Sequence, residues 1–197
     1  MNRNRLALIA LAAIALLAIA APAYAGFAER GRTERLEFEV AEDMTRFVFD
    51  KDVSFEDGLP ADGSSFITRG YLYAPGTLTC DADGACNGVN EDGSPEFPDK
   101  LIGEWICSGY MINDAGHAKG GVWVFSTQFF QLSDTPGAET IVSTGYELAD
   151  LGVAISRAIT GGTGDYKDAR GQGEQTLLGF NAGQGVTLKV RLDVRTR

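Results

Sequence analysis

The sequence is poor in the residues that metal binding and catalysis most often use. Its 197 residues include one histidine, His117, and three cysteines. Structural zinc sites draw four ligands from cysteine and histidine, so this content disfavours zinc. A Ser-His-Asp triad would depend on His117, and no Gly-x-Ser-x-Gly nucleophile turn accompanies it. We therefore expect no metal and no cofactor.

Positive charge is also scarce. The chain has 17 lysines and arginines against 27 aspartates and glutamates, a net charge of −10. Such a surface repels phosphate backbones and anionic lipid headgroups. We expect no nucleic-acid partner, and we interpret most of the negative charge as serving solubility.

A long hydrophobic run occurs only at the start of the chain. Arg3 and Arg5 precede an uncharged run over residues 6–21, and Ala23-Tyr24-Ala25 places small residues where a signal peptidase cleaves. The run is shorter than the roughly 20 residues that span a bilayer. We interpret residues 1–25 as a secretory signal peptide of bacterial type. This predicts a secreted or extracytoplasmic protein with no membrane span after cleavage.

Three cysteines in an oxidising compartment are typical of one disulfide and one free thiol. Cys80 and Cys86 bracket a turn-rich segment that can bring its ends together, and they are the leading pair. Cys107 lies in an apolar segment, where a free cysteine packs as a small hydrophobic residue. The sequence leaves the pairing of Cys107 with either of the others open.

Helical periodicity is nearly absent, and only residues 139–152 suggest a short helix. Alternation of apolar and polar residues is widespread instead, most clearly over residues 186–195. Residues 26–35 are expected to form a mobile arm. Many short strands without crossover helices predict one antiparallel all-β domain, either a sandwich or a closed barrel. The predicted strands are 34–40, 46–53, 66–74, 101–112, 121–132, 140–148, 153–160, 172–180 and 186–195.

One motif distinguishes between these architectures. An apolar strand ends in Gly161-Gly162-Thr163-Gly164, and Tyr166 and Ala169-Arg170-Gly171 follow. This order and spacing resembles the signature of the dirigent proteins, and the related allene oxide cyclases carry a similar glycine corner. The resemblance covers about residues 66–196. It implies an eight-stranded closed antiparallel β-barrel with a central cavity, assembled as a homotrimer. The implied organisation is a signal peptide (1–25), an arm with the first strands (26–65) and the barrel (66–197).

The glycine corner also has a physical interpretation. Gly161, Gly162 and Gly164 can adopt positive φ and let the strand bend sharply, which a closing barrel requires. Tyr166 can then cover the exposed backbone. A phosphate-binding loop is disfavoured because the third glycine, the Walker spacing and a following helix are all lacking.

Two sets of acidic residues could carry other chemistry. The loop over residues 81–92 supplies oxygen ligands of the type that calcium prefers, but it lacks the spacing of an EF-hand. Glu104, Glu147 and Glu174 lie on predicted strands and could pair for glycoside cleavage. Exposed strand acids are far commoner than catalytic ones, so we assign these three residues no catalytic role.

The resemblance implies a function based on confinement. A dirigent-like barrel holds a small apolar molecule, phenolic or lipid-like, and restricts how it reacts, without a cofactor. Our leading hypothesis is a non-catalytic barrel that binds or orients such a ligand. A cyclase- or lyase-like enzyme acting in the same cavity and a cell-envelope interaction module are the alternatives. The candidate cavity residues are Tyr73, Glu104, Tyr110, Tyr146, Glu147 and Arg157.

Overall fold

The computed structural model describes residues 31–196, so the predicted signal peptide lies outside the described residues. This part of the chain holds nine strands and three single-turn 3-10 helices. None of its helices is long and apolar enough to cross a membrane. The strands are β1 (Arg32–Phe49), β2 (Ser65–Tyr73), β3 (Ala85–Cys86), β4 (Leu101–Met111), β5 (Val122–Gln131), β6 (Thr140–Leu148), β7 (Ala154–Thr163), β8 (Arg170–Asn181) and β9 (Val186–Thr196).

Eight of these strands form a closed antiparallel barrel. Their order is β8-β7-β6-β5-β4-β2-β1-β9, and a β8–β9 pairing closes the ring. The two-residue strand β3 adds to β8 in parallel, outside the eight-strand cycle. The predicted all-β, eight-stranded closed barrel is therefore confirmed.

The N-terminal part of the barrel differs from the prediction. The predicted strands 34–40 and 46–53 are one 18-residue strand, β1, with a register shift between Asp43 and Val48. Arg32 pairs with Thr196, so residues 32–35 belong to the barrel wall. The prediction that these residues form a mobile arm is therefore wrong. The bulge lets the strand bend while it stays paired with β2 on both sides of the shift. The acidic pair at Glu42 and Asp43 broke the hydrophobic pattern and hid this continuity.

The hydrophobic core lies inside the barrel. The apolar face predicted for the last strand is buried, and Phe38 and Val40 of β1 meet it from the neighbouring strand. Each such side chain contributes about 1.5–3 kcal/mol when fully buried. The buried apolar residues of β9 are Val186, Leu188, Val190, Leu192 and Val194.

A loop over residues 74–97 covers the outer side of β1 and β2. Tyr73 donates its hydroxyl to the Gly88 carbonyl (2.6 Å) and packs with Leu78 and Val89 in a second small core. Glu39 accepts the Leu78 N–H (2.7 Å). The disulfide between Cys80 and Cys86 lies within this loop, as predicted.

The glycine corner is a bulge within β7. The pairing shifts from Val142–Gly161 to Ser143–Ile159, which leaves Thr160 as the extra residue. Strand β7 therefore continues through Gly161 and Gly162 to Thr163, beyond the predicted end. Bulges of this type increase strand twist and help a sheet to close.

The glycines of the corner serve different purposes. Gly164 has φ 58°, as predicted, but positive φ at Gly161 and Gly162 was a wrong expectation. A Cβ on Gly162 would lie 2.6 Å from the Tyr166 carbonyl oxygen, so this glycine permits a close backbone approach. A Cβ on Gly161 would meet only Arg170 Nη1, at 3.9 Å. Tyr166 packs against the hydrophobic core.

Candidate ligand-binding site

A cavity of about 180 Å³ lies inside the barrel. Its walls are mainly aromatic and aliphatic, with a few polar groups among them. A cavity of about 150 Å³ with aliphatic walls holds benzene, so this one has room for a ligand of one or two rings. The lining residues are Glu42, Met44, Phe47, Pro60, Phe66, Thr68, Trp105, Cys107, Met111, Trp123, Val124, Glu147, Phe180, Gln184 and Val186.

Glu42 is the polar group that sequence reasoning missed. The inward alternation of β1 runs through Phe38 and Val40, and its next position is Glu42. One carboxyl oxygen accepts the Val186 N–H (2.9 Å). Burial raises the pKa of Glu42 to about 7, the Glu147 charge adds to this effect, and the Val186 N–H opposes it. Near neutral pH this carboxyl is therefore present in both its protonated and its ionised form.

Glu147 occupies the same cavity but is surrounded by donors. One carboxylate oxygen accepts the hydroxyl of Ser126 and the amide of Gln128 (3.1 Å). The other accepts the amide of Gln175 (3.0 Å). A buried carboxylate with this many partners is electrostatically satisfied. Strand β6 turns this side chain into the barrel, and of the six candidate cavity residues Glu147 is the one that lines the cavity.

Arg157 lies behind Glu147 and holds it in place. Its Nη1 is 3.7 Å from the nearer Glu147 oxygen and donates to the Tyr146 carbonyl (3.0 Å). Its Nη2 donates to the Ser126 carbonyl (3.1 Å), and Nε donates to the Ser143 hydroxyl (3.3 Å). Losing one partner of a buried ion pair costs about 3–5 kcal/mol. Arg157 does not line the cavity, and its role is to position Glu147.

Cys107 is a buried free thiol on the cavity wall. Its Sγ lies 3.5 Å from the Glu147 carboxylate and donates to it. Burial raises the pKa of the thiol well above its usual range, and the Glu147 charge raises it further. Because the thiolate is the reactive form of cysteine, this arrangement describes an inert wall residue.

Four of the six predicted cavity residues lie on the other side of the barrel wall. Tyr110 and Tyr146 are 55% and 52% exposed on the outer face. Glu104 is also outside, where it pairs with Arg46 (2.8 Å). Tyr73 is buried, but beneath the covering loop. Alternation along β4 explains the error for Glu104 and Tyr110, since the inward positions of this strand are the odd-numbered ones.

The inward face of β4 carries Trp105 instead, and Trp123 joins it in the cavity. These are the two tryptophans of the chain. Trp123 is the extra residue at a register shift in β5, between Val122 and Val124. The indole Nε1 atoms of both are buried and have no hydrogen-bond partner among residues 31–196. The sequence predicts the strand that carries Trp105, but the cavity residues predicted on that strand, Glu104 and Tyr110, lie on its opposite face.

The acidic loop is organised by its own turns. Asp81 accepts the backbone N–H groups of Asp83 and Ala85, each at 2.9 Å, and Asp92 accepts that of Ser94 (2.9 Å). Side-chain oxygens used in this way form Asx turns. Within the described part of the chain, no group of three or more His, Cys, Asp or Glu side chains is arranged to hold a metal ion.

Comparison with solved structures identifies the type of fold. The chain is similar to the pterocarpan synthase dirigent protein PsPTS1, with 18% identity, a TM-score of 0.56 and coverage of 84% of this chain and 96% of that one. The dirigent protein GePTS1 gives 16% identity, a TM-score of 0.54 and coverage of 85% and 90%. This chain has the dirigent barrel fold. The resemblance drawn from the glycine corner is confirmed at that level.

A third similar structure is a nonspecific heme-binding cyclase, with 14% identity, a TM-score of 0.47 and coverage of 100% of this chain and 78% of that one. No protein-family model matches the sequence. No curated protein matches it either.

Proposed function

We propose that this protein binds and orients a small, largely apolar molecule, phenolic or lipid-like, in the cavity of its barrel. One observation carries the proposal: an apolar cavity of about 180 Å³ is lined by two buried carboxyl groups, Glu42 and Glu147, and the pKa of Glu42 is raised to about 7. Apolar walls with a few well-placed polar groups are the usual composition of a small-molecule site. The dirigent fold supports the same interpretation.

The two parts of the cavity have different roles in this proposal. The apolar walls supply affinity, at about 25 cal/mol for each Å² of apolar surface removed from water. Glu42 fixes the orientation of the ligand through a hydrogen bond to its polar group. A hydrogen bond that involves a charged partner contributes about 1.5–3 kcal/mol, or roughly tenfold to a hundredfold in affinity.

Calorimetry against a panel of phenolics and oxidised fatty acids tests the proposal. We expect at least one of them to bind, and Glu42→Gln to weaken that binding about tenfold or more. Glu104→Gln is the matched control, because Glu104 lies on the outer face. If no panel member binds, the cell-envelope interaction module becomes the better interpretation. Equal weakening by both substitutions would contradict the role of Glu42.

A cyclase- or lyase-like activity in the same cavity is the second candidate, and Glu42 also favours it. A carboxyl whose pKa lies near the working pH can both give and take a proton. The names of the similar dirigent proteins, which call them pterocarpan synthases, agree with such chemistry. Mass spectrometry of each bound compound after incubation tests it. Conversion that Glu42→Gln abolishes would support the enzyme, and an unchanged compound would support simple binding.

We further propose that the protein is exported and acts as a homotrimer. The disulfide fits an oxidising compartment. An apolar patch on the outer face of the barrel fits contact between copies of the chain. Its three cross-strand rows begin at Ile106, Ser108 and Tyr110 of β4 and continue across β5 to β6, and they carry no charge in a strongly acidic chain. Exposed patches of this kind mark interaction sites. We call it the outer patch, and it comprises Ile67, Ile106, Tyr110, Phe125, Phe129 and Tyr146.

A further inference from the structure

We infer that the ligand of the cavity is a neutral carbonyl compound whose oxygen accepts a hydrogen bond from the indole N–H of Trp105. This inference rests on the proposed function and names the chemical class of the ligand. It starts from two residues that line the cavity, Trp105 and Trp123, whose indole nitrogens are buried and have no hydrogen-bond partner among residues 31–196.

The Trp105 N–H is unusual for a buried donor. The residue is 1% exposed, and its Nε1 has no partner among the described residues. Most buried polar groups are hydrogen-bonded, and an unsatisfied one costs about 1–3 kcal/mol. The same is true of Nε1 of Trp123, which lines the same cavity. A ligand with an acceptor atom would satisfy these donors and recover part of that cost.

The chemistry of indole restricts what the ligand can offer. An indole nitrogen is a donor only, so its partner must be an acceptor. Glu42 adds a third donor whenever its carboxyl is protonated. A carbonyl oxygen has two acceptor lone pairs and no hydrogen that would need an acceptor in the cavity. It therefore matches the two unpaired indole donors better than a hydroxyl group does, because a hydroxyl group also has a hydrogen that needs an acceptor.

The charges around the cavity exclude an anionic acceptor. Glu42 and Glu147 both line it. The one buried cation nearby, Arg157, is already paired with Glu147. A carboxylate or phenolate ligand would lose its hydration and gain no free positive partner, which is strongly unfavourable. The acceptor is therefore neutral.

Matched probes with one carbon skeleton test the inference. 1-Tetralone has a carbonyl, tetralin has none, 1-tetralol has a hydroxyl and 1-naphthoate is an anion. The chain has two tryptophans, so an amide-type proton–nitrogen NMR spectrum contains two indole signals, which Trp105→Phe and Trp123→Phe assign. We expect 1-tetralone to bind about threefold to tenfold more tightly than tetralin. It should also move the Trp105 indole proton downfield.

Trp105→Phe keeps an aromatic ring and removes the donor. It should lower the affinity ratio of 1-tetralone to tetralin towards one, whatever it does to both affinities. Should this variant fail to fold, the probe ratio and the indole shift in the parent protein decide the question. Equal binding of 1-tetralone and tetralin without a downfield shift would overturn the inference and leave the proposed function intact.

Three other outcomes are also decisive. Tighter binding of 1-tetralol or 1-naphthoate than of 1-tetralone would overturn the carbonyl class. A shift confined to Trp123 would overturn the assignment to Trp105. If no probe binds up to its solubility limit, with no change at either indole, the inference and the proposed function both fail.

Discussion

Glu42 and Glu147 line one cavity in two different electrostatic environments. Glu147 is paired with Arg157 and accepts hydrogen bonds on both carboxylate oxygens. Glu42 accepts a hydrogen bond from the Val186 N–H. The Glu147 charge also helps to raise the pKa of Glu42. Near neutral pH the protonation of Glu42 can therefore change.

The raised pKa of Glu42 predicts a pH-dependent stability. The folded protein holds this proton up to about pH 7, but an ordinary glutamate releases it near 4.5. The contribution of Glu42 is therefore fully present below pH 4.5, decreases as the pH rises towards 7, and then stays constant. The total loss is about 3 kcal/mol.

Denaturant unfolding of the parent and of Glu42→Gln, at several pH values from 4 to 8, measures this effect. The difference in unfolding free energy between the two proteins should fall as the pH rises through that window. Glu37→Gln, at an exposed position of the same strand, should give a flat difference. A flat difference for Glu42→Gln as well would show that its pKa is not raised.

The glycine corner gives a matched pair of substitutions. Gly162→Val should destabilise the barrel by about 2–4 kcal/mol, because its side chain would press on the Tyr166 and Thr140 carbonyls. Gly161→Val should cost less than about 1 kcal/mol, since the space beside Gly161 is open. Thermal unfolding compares them. Similar melting temperatures for the two variants would contradict the close-approach role of Gly162.

The sequence predicted the elements with the plainest patterns. The alternation of β9 identified both its faces, and the glycine corner identified the barrel. The site was harder to predict, because both faces of β4 look buried. Its inward face has Trp105 and Cys107, but its outward face has Ile106 and Tyr110. Alternation alone cannot separate the two faces when the outer one is also apolar.

Glu42 was missed for a different reason. A charged residue within an apolar alternation suggests the end of a strand, and Glu42 and Asp43 together made that interpretation natural. The structure shows that β1 continues because it remains paired with β2 at Glu42 and Asp43. Long-range pairing of this kind cannot be read from local pattern. Extending the alternation past Val40 would have placed Glu42 inside.

The thiols should differ in accessibility. Under non-reducing conditions, peptide mapping should find Cys80 joined to Cys86 and Cys107 unmodified. Iodoacetamide should label Cys107 only after denaturation, because the thiol is buried and its pKa is raised. Rapid labelling of the native protein, or a disulfide that includes Cys107, would contradict this assignment.

Export predicts a defined N-terminus. Protein recovered from the medium or periplasm should begin at Gly26, because cleavage is expected after Ala25. Intact-mass measurement and N-terminal sequencing check this. Replacing Ala23 and Ala25 by bulky residues should block processing, and a secreted protein that retains Met1 would contradict the signal-peptide interpretation.

The outer patch predicts self-association. Tyr110, Phe125 and Tyr146 lie in one cross-strand row, and the rings of Phe125 and Tyr146 are 5.6 Å apart. Two copies of an acidic chain repel each other over most of their surface, so an uncharged aromatic face is where they can approach. The double change Phe125→Glu and Tyr146→Glu should convert a trimer to monomers.

Sedimentation of the parent, the double variant and Thr33→Glu distinguishes this effect from a general effect of added charge. Thr33 is exposed on β1, away from the outer patch, so Thr33→Glu should leave the trimer intact. The double variant should keep the thermal stability and ligand affinity of a folded barrel, because both its positions face outward. A parent that sediments as a monomer at micromolar concentration would show that the patch has another partner.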